Sequence, residues 1–312
     1  MMTIDFRKDG YRVALLAVLL VTAFFLPAWM RYQLQVSLAG GLVALGVMIQ
    51  MRAGLVSFGQ GLFYCLGAYA VGLLAVRYGI TDIAFLLPAA AIISLIIGVV
   101  LGILLSRYRE IFFAMLSMAL SMILYGVLVK TAALGSTDGF NIPAVSYFGY
   151  TPAPEFRDAY VYGLSVIVVL VLALISARYL ASNAGAMLDA LAENEVRLNY
   201  LGASPRVVAF CCYVTAAVLS GIGGCLIAVS TGHIDPELTN WTTSGSFVFV
   251  ALLAGRGSVI APIIGFFLLE IVRTYALGYV PNAWQLILGI VMLAIILLLP
   301  NGLWSLISGR RR

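Results

Sequence analysis

Residues 182–205 read Ser182-Asn183-Ala184-Gly185-Ala186-Met187-Leu188-Asp189-Ala190-Leu191-Ala192-Glu193-Asn194-Glu195-Val196-Arg197-Leu198-Asn199-Tyr200-Leu201-Gly202-Ala203-Ser204-Pro205. This polar interval lies between apolar runs long enough to cross a membrane. It predicts a short helix outside the bilayer. Ser182 or Asn183 can cap its start, Gly202 suits the left-handed position after its end, and Pro205 suits the first position of the next helix. Met187, Leu188, Leu191, Val196, Leu198 and Leu201 alternate with Asp189, Glu193, Glu195 and Arg197, so the helix is amphipathic. Two readings stand side by side: a solvated helix joining two spans, or a docking helix that fits a groove on a soluble partner.

The surrounding composition fixes the class. The chain has 312 residues, 63% hydrophobic and 10% charged, with a mean hydropathy of +1.07. That much apolar surface exceeds what a soluble core can hide, so the expectation is an all-α, polytopic membrane helix bundle. Thirty-one glycines suit close helix–helix packing in lipid. The formal charge of +5 comes from basic loop residues. No Lys/Arg cluster with aromatic interleaving points to nucleic acid. Cys65, Cys211, Cys212 and Cys225 fall in apolar runs without metal-ligand spacing and read as small fillers. Arg7, Lys8 and Arg12 precede an apolar run that ends in Leu26-Pro27-Ala28-Trp29 without a small-residue cleavage site, so an uncleaved first span is expected.

About ten apolar spans follow: 13–30, 33–51, 57–76, 83–105, 111–130, 160–180, 206–230, 243–255, 259–279 and 283–303. The third carries Gly54, Gly59 and Gly61 at its entrance and reads as a broken helix or re-entrant loop. The eighth is too short for the roughly 20 residues of a full crossing. The expectation is therefore about 8–10 transmembrane helices in a single domain over 1–312. With the N-terminus inside, only Arg31, Arg77, Lys130, Arg157 and Arg273 of the 18 basic residues fall outside. That excess places residues 182–205 and both termini in the cytoplasm. Segments 131–159 and 231–242 are then external, and together they offer a face for a binding protein.

Several polar features interrupt the spans. Ser57 and Gln60 lie in the glycine-rich entrance of the third, where freed backbone groups are tolerable only against protein or a wet cavity. Such discontinuous helices build substrate sites in transporters, and they also serve as packing glue. Ser117, Ser121 and Tyr125 recur every four residues on one face of the fifth span. They line a path, or they bond their own helix carbonyls. Gly98-x-x-x-Gly102 and Ala217-x-x-x-Gly221-x-x-x-Cys225, with Gly223 and Gly224, read as packing faces. Glu270 and Arg273, three apart, read as a structural ion pair before a proton relay. His233 is a lone loop histidine, and no metal site is expected.

These motifs, in this order, resemble the LivM-type branched-chain amino acid permeases of ABC importers. Ala192-Glu193-Asn194-Glu195 followed by Gly202 resembles the E-N-E…G of that family's cytoplasmic coupling loop. Gly54-Leu55-Val56-Ser57-Phe58-Gly59-Gln60 to Gly67-Ala68-Tyr69 resembles its G-x-x-S-x-G-Q/H…G-A-Y signature. Gly135-Ser136-Thr137-Asp138-Gly139 to Ile142-Pro143 resembles a loop in which a Thr is usual where Leu134 stands. Leu252-Leu253-Ala254-Gly255-Arg256-Gly257-Ser258, Pro262 to Gly265, Trp284 to Gly289 and Pro300-Asn301-Gly302-Leu303-Trp304 resemble its ending. One departure stands out. The family's R-A-x-R in the coupling helix is here Leu188-Asp189-Ala190-Leu191, two cations fewer and an acid more, so the partner surface or the strength of docking differs.

The resemblance implies an ABC importer permease fold and alternating access. It also implies two separate ABC ATPase subunits, a second permease subunit in a heterodimer, and a periplasmic or surface substrate-binding protein. The location implied is a bacterial or archaeal cytoplasmic membrane. ATP is expected in the partners, since no G-x-x-x-x-G-K-[ST] occurs here, and no cofactor or catalytic residue is expected in this chain. Asp189, Glu193, Asn194, Glu195 and Gly202 are the expected coupling contacts. Ser57, Gln60, Ser117, Ser121 and Tyr125 are the expected path. Substrates within the resemblance extend from Leu, Ile and Val to urea, short amides and aromatic acids. Outside it stand an ion-coupled carrier using Glu270 and a passive channel for a small neutral solute.

Overall fold

The computed structural model describes residues 25–279, 283–298 and 302, with 14, 17, 18 and 21 before them. Part of the expected first span, the basic residues at both ends and most of Pro300 to Trp304 lie outside the described residues. The helices are α1 (Ala28–Arg52), α2 (Gln60–Tyr78), α3 (Ile83–Leu105), α4 (Glu110–Lys130), α5 (Arg157–Ala181), α6 (Asn183–Glu193), α7 (Glu195–Tyr200), α8 (Pro205–Thr231), α9 (Trp241–Ala254), α10 (Ala261–Tyr279) and α11 (Trp284–Leu298). Among the described residues seven of these are long and apolar enough to cross a membrane: α1 to α5, α8 and α10. The protein is an all-α polytopic bundle.

The bundle is built around α8, which packs on α1, α2 and α3, while α1 also meets α5 and α10. In α1 and α8, 89% and 83% of the apolar stretch is buried, against 22% in α4, so α4 stands at the periphery. Small residues set these contacts. A Cβ on Gly224 would fall on the Tyr64 carbonyl, one on Gly67 on the Gly221 carbonyl, and one on Gly98 near the Ala217 methyl. The expected packing faces are where the helices meet.

Three expectations need correction. The second span is a 25-residue helix that begins at Ala28, immediately after Pro27. The third is an unbroken 19-residue helix, and the irregular stretch 53–59 lies ahead of it. Its glycines serve turning and close approach. Gly54 has φ +74°, where a side chain would be strained. Gly59 lies against the Ser117 carbonyl, and Gly61 N donates to Ser244 Oγ at 2.9 Å. The amphipathic helix over 182–205 is two helices, broken at Asn194, whose backbone is extended (φ −165°, ψ 108°). The eighth span is short as expected: α9 has 14 residues and follows a 3-10 turn at Pro236–Thr239.

The segments expected outside are joined. Strands β1 (Phe140–Asn141) and β2 (His233–Ile234) pair antiparallel, and His233 Nδ1 lies 2.8 Å from Asn141 Oδ1. Tyr69 of α2 meets the Phe140 ring edge-on at 5.6 Å. Asp82 anchors a neighbouring turn. Its carboxylate caps α3 by accepting from Ala84 N (2.9 Å), and it also accepts from Phe148 N (3.1 Å) and Gly149 N (2.6 Å). The Ala84 N–H first, and the other two after it, hold the Asp82 carboxyl below its usual value. Its contribution is therefore full above the unfolded value near pH 4 and is lost as pH falls through the lower folded value. Asp82→Ala is expected to lower the melting temperature by a constant amount above about pH 4. The difference from wild type should shrink below it. A difference that grows on acidification would remove the carboxylate from this role.

Candidate functional site

The polar interval 182–205 sits on the end of the bundle where α1 stops and α4 starts. Ser182 occupies the N-cap position of α6 but donates its hydroxyl to the Tyr179 carbonyl (2.7 Å). Asn194 caps α7: its Oδ1 accepts from Val196 N (2.9 Å) and Arg197 N (3.0 Å). An asparagine ahead of a helix-forming run was the local signal for this break. Gly202 follows in left-handed backbone (φ +86°), and Pro205 is the first residue of α8, as their types predict. Leu188, Leu191 and Leu198 are buried against the bundle, while Met187, Val196, Tyr200 and Leu201 face outward. Tyr200 and Leu201 are 88% and 75% exposed, an apolar surface with no covering within the described residues.

The charged residues of the interval divide into two groups. Asp189 turns inward to Arg52 at the end of α1, with Nε–Oδ1 of 3.0 Å and Nη2–Oδ2 of 2.6 Å. Arg52 is only 3% exposed and Asp189 20%. Glu195 pairs with Arg109, in the loop before α4, whose Nη1 also donates to the Ser106 carbonyl (2.6 Å). Glu193 is exposed, with no hydrogen bond or ion pair among the described residues. Arg256, between α9 and α10, donates to the Met51 carbonyl beside Arg52. Burial pulls its guanidinium pKa down; Asp189 opposes that shift and Arg52 adds to it, and the net direction is down. Arg52 and Arg109 were expected on the same side as this interval, but not as partners of its acids. A cation at a helix C-terminus reads locally as a dipole partner, and the acid it meets is 137 residues away.

The five expected path residues fall into two polar clusters along one seam, Ser57, Ser117, Ser121 and Tyr125 in one and Gln60 in the other. Ser57 and Ser117 are buried at the 53–59 stretch: Gly59 N donates to Ser57 Oγ (3.2 Å) and Phe58 N to Ser117 Oγ (3.2 Å). Ser117 also bonds its own helix at the Ala114 carbonyl (2.9 Å). One turn on, Ser121 Oγ donates to the Thr239 carbonyl (2.7 Å). Two turns on, Tyr125 OH donates to Glu237 Oε1 (2.9 Å), whose other oxygen accepts from Asn240 Nδ2 (2.9 Å). The stripe therefore runs from the Arg109 end of α4 to the joined loops, and the turn before α9 lies along it. Gln60 is separate from the stripe. It is fully buried, donating to Gln50 Oε1 (3.0 Å) and accepting from Ser220 Oγ (2.7 Å). Gln50 Nε2 has no hydrogen-bond partner among the described residues. Thr239, Ser244, Gln50 and Ser220 complete the seam and were missed, because single polar residues in apolar runs carry no partner information. On α10, Glu270 and Arg273 pair at 3.8 Å, as their spacing predicts.

The comparisons agree with this architecture. The family described as branched-chain amino acid transport system / permease component matches residues 30–296. The chain is 26% identical over 278 residues to the high-affinity branched-chain amino acid transport system permease protein LivM of Escherichia coli (strain K12). It is 27% identical over 274 residues to the protein of that name from Salmonella typhimurium (strain LT2). Each match covers 80% of this chain and 64% of the relative, so it spans somewhat less than two thirds of the relatives' length. No solved structure matches the chain significantly. With nearly all of its described helices inside the matched region, the chain belongs to the family of branched-chain amino acid transport system permease components.

Proposed function

We propose that this chain is the membrane-spanning permease subunit of an ABC importer for branched-chain amino acids, and that it works by alternating access. The observation that carries the reading is the two-helix polar interval, apolar beneath and apolar again on its outward face, seated at one end of a spanning bundle. That outward face fits a groove on a soluble partner. The partners in this reading are two ABC ATPase subunits, a second and different permease subunit, and a substrate-binding protein received by the joined loops 131–159 and 231–242. The cytoplasmic side then carries residues 182–205 and both termini, in a bacterial or archaeal cytoplasmic membrane. The names of the relatives support Leu, Ile and Val as cargo, with urea, short amides and aromatic acids as the alternatives within the resemblance.

The path in this reading follows the Ser117–Ser121–Tyr125 stripe, which is held shut by bonds to the 53–59 stretch and the 236–240 turn. Opening it exchanges those bonds for contacts with water and cargo. The test is purification of the tagged chain in mild detergent and reconstitution in proteoliposomes. Co-purifying ATPases and uptake that needs ATP are the expected result. Uptake by this chain alone, driven by a proton gradient, would replace the reading with a carrier. In the same vesicles Ser121→Leu is expected to change the KM or the rate by roughly tenfold, the effect of about 1.4 kcal/mol. Unchanged uptake of every substrate would return the stripe to packing.

A further inference from the structure

Asp189 is held in a way that a docking residue is not. Both its oxygens engage the guanidinium of Arg52, and that residue is buried at the last turn of the most enclosed helix. A bidentate pair fixes direction as well as distance. The backbone beside Arg52 is also held, because Arg256 donates to the carbonyl of Met51. Immediately beyond Arg52 the chain turns at Ala53-Gly54, where a Cβ on Gly54 would meet Ala192 of α6 at ordinary contact distance. It then runs into the stretch whose Phe58 N bonds Ser117. Two residues before Arg52, Gln50 bonds Gln60. The pair therefore stands between the polar interval and both polar clusters of the seam. The more exposed pair, Arg109–Glu195, ties α7 to the start of the helix that carries the stripe.

We infer that the Arg52–Asp189 ion pair is the internal link that carries movement of α6 into the 53–59 stretch, making both residues positioning residues of transport and leaving contact with the ATPase to Glu193 and the outward apolar face. This rests on the proposed function. The acid gained in α6, where the resembled motif has alanine, fits the role: it is complementary to a buried arginine of its own chain.

The test is Arg52→Met/Asp189→Leu in the reconstituted complex, beside the exchanged pair Arg52→Asp/Asp189→Arg. Replacing a buried ion pair by apolar residues of similar size is often neutral for folding, whereas removing one partner strands a charge. The readouts are ATPase subunits bound per permease and cargo taken up per ATP hydrolysed. The apolar pair is expected to keep its ATPases and to transport at least tenfold less cargo per ATP, and the exchanged pair to recover most of that loss. Loss of bound ATPase in the apolar pair would make Asp189 a docking contact and overturn the inference, and so would a wild-type transport ratio. Failure of both pairs to fold would reduce the link to a folding element. A wild-type complex without ATPases would instead sink the proposed function, and the link with it.

Discussion

Gly224→Leu is expected to leave little folded protein to extract from the membrane. A side chain at 224 points at the backbone of α2, where even a Cβ would overlap the Tyr64 carbonyl and crowd Ala68 N. Backbone cannot change rotamer, so α8 must move away from α2. The same shift disturbs Gly223 against Ala39 and Gly221 against Ser94, because one helix serves three neighbours. Overpacking that side chains can absorb costs about 1–3 kcal/mol. Here the cost should exceed that range and take most of a native margin of about 5–15 kcal/mol. Gly126→Leu is the matched control: Gly126 also sits in a spanning helix, with nothing within 4 Å of its Cβ direction. Size-exclusion profiles and melting temperatures in detergent read both. A Gly224→Leu protein that elutes and melts like wild type would mean that α8 and α2 do not meet backbone to backbone.

The same residues show what was legible beforehand. A spanning helix must bond its whole backbone internally and cover itself with apolar side chains, so lipid writes its position into local composition. The expected and observed limits of α3, α4, α5, α8 and α10 accordingly agree within a few residues. Small residues spaced at helical intervals mark close approach, which made Gly98, Gly221 and Gly224 readable as contacts although not with which helix. Partner choice was not readable. A protein interior and a lipid tail are equally apolar, so nothing at Arg52 names Asp189, and nothing at Tyr125 names Glu237. The stripe on α4 was visible as a face, and its closure by the 236–240 turn was not. The break at Asn194 was missed for a different reason. Leu188, Leu191, Leu198 and Leu201 keep an apolar rhythm across it, and periodicity overrode the capping signal.

The divided charges of the polar interval also settle which substitution tests docking most cleanly. Changing Asp189 or Glu195 disturbs a pair inside the chain, and changing Asn194 removes the cap of α7. Any loss of uptake would then have two causes. Glu193 has neither complication, since it is exposed at the last turn of α6 and bonds nothing among the described residues.

Glu193→Lys is therefore expected to abolish ATP-driven uptake in a protein that inserts and folds normally. Insertion should not suffer, because in the proposed orientation the substitution adds a cation on the cytoplasmic side, which the positive-inside bias favours. Stability should change little, since an exposed charge contributes about 0–1 kcal/mol. At an interface the arithmetic differs. A like charge set against a complementary surface costs several kcal/mol, and each ~1.4 kcal/mol is a factor of ten in affinity. ATPase association should thus fall by roughly a hundredfold or more. Glu193→Gln, which removes charge without reversing it, should lose much less. Co-purified ATPase and ATP-driven uptake should fall together, with the melting temperature of the permease unchanged. Full uptake by Glu193→Lys would take Glu193 out of the docking surface and leave that task to Met187, Val196, Tyr200 and Leu201, the exposed apolar side chains around it.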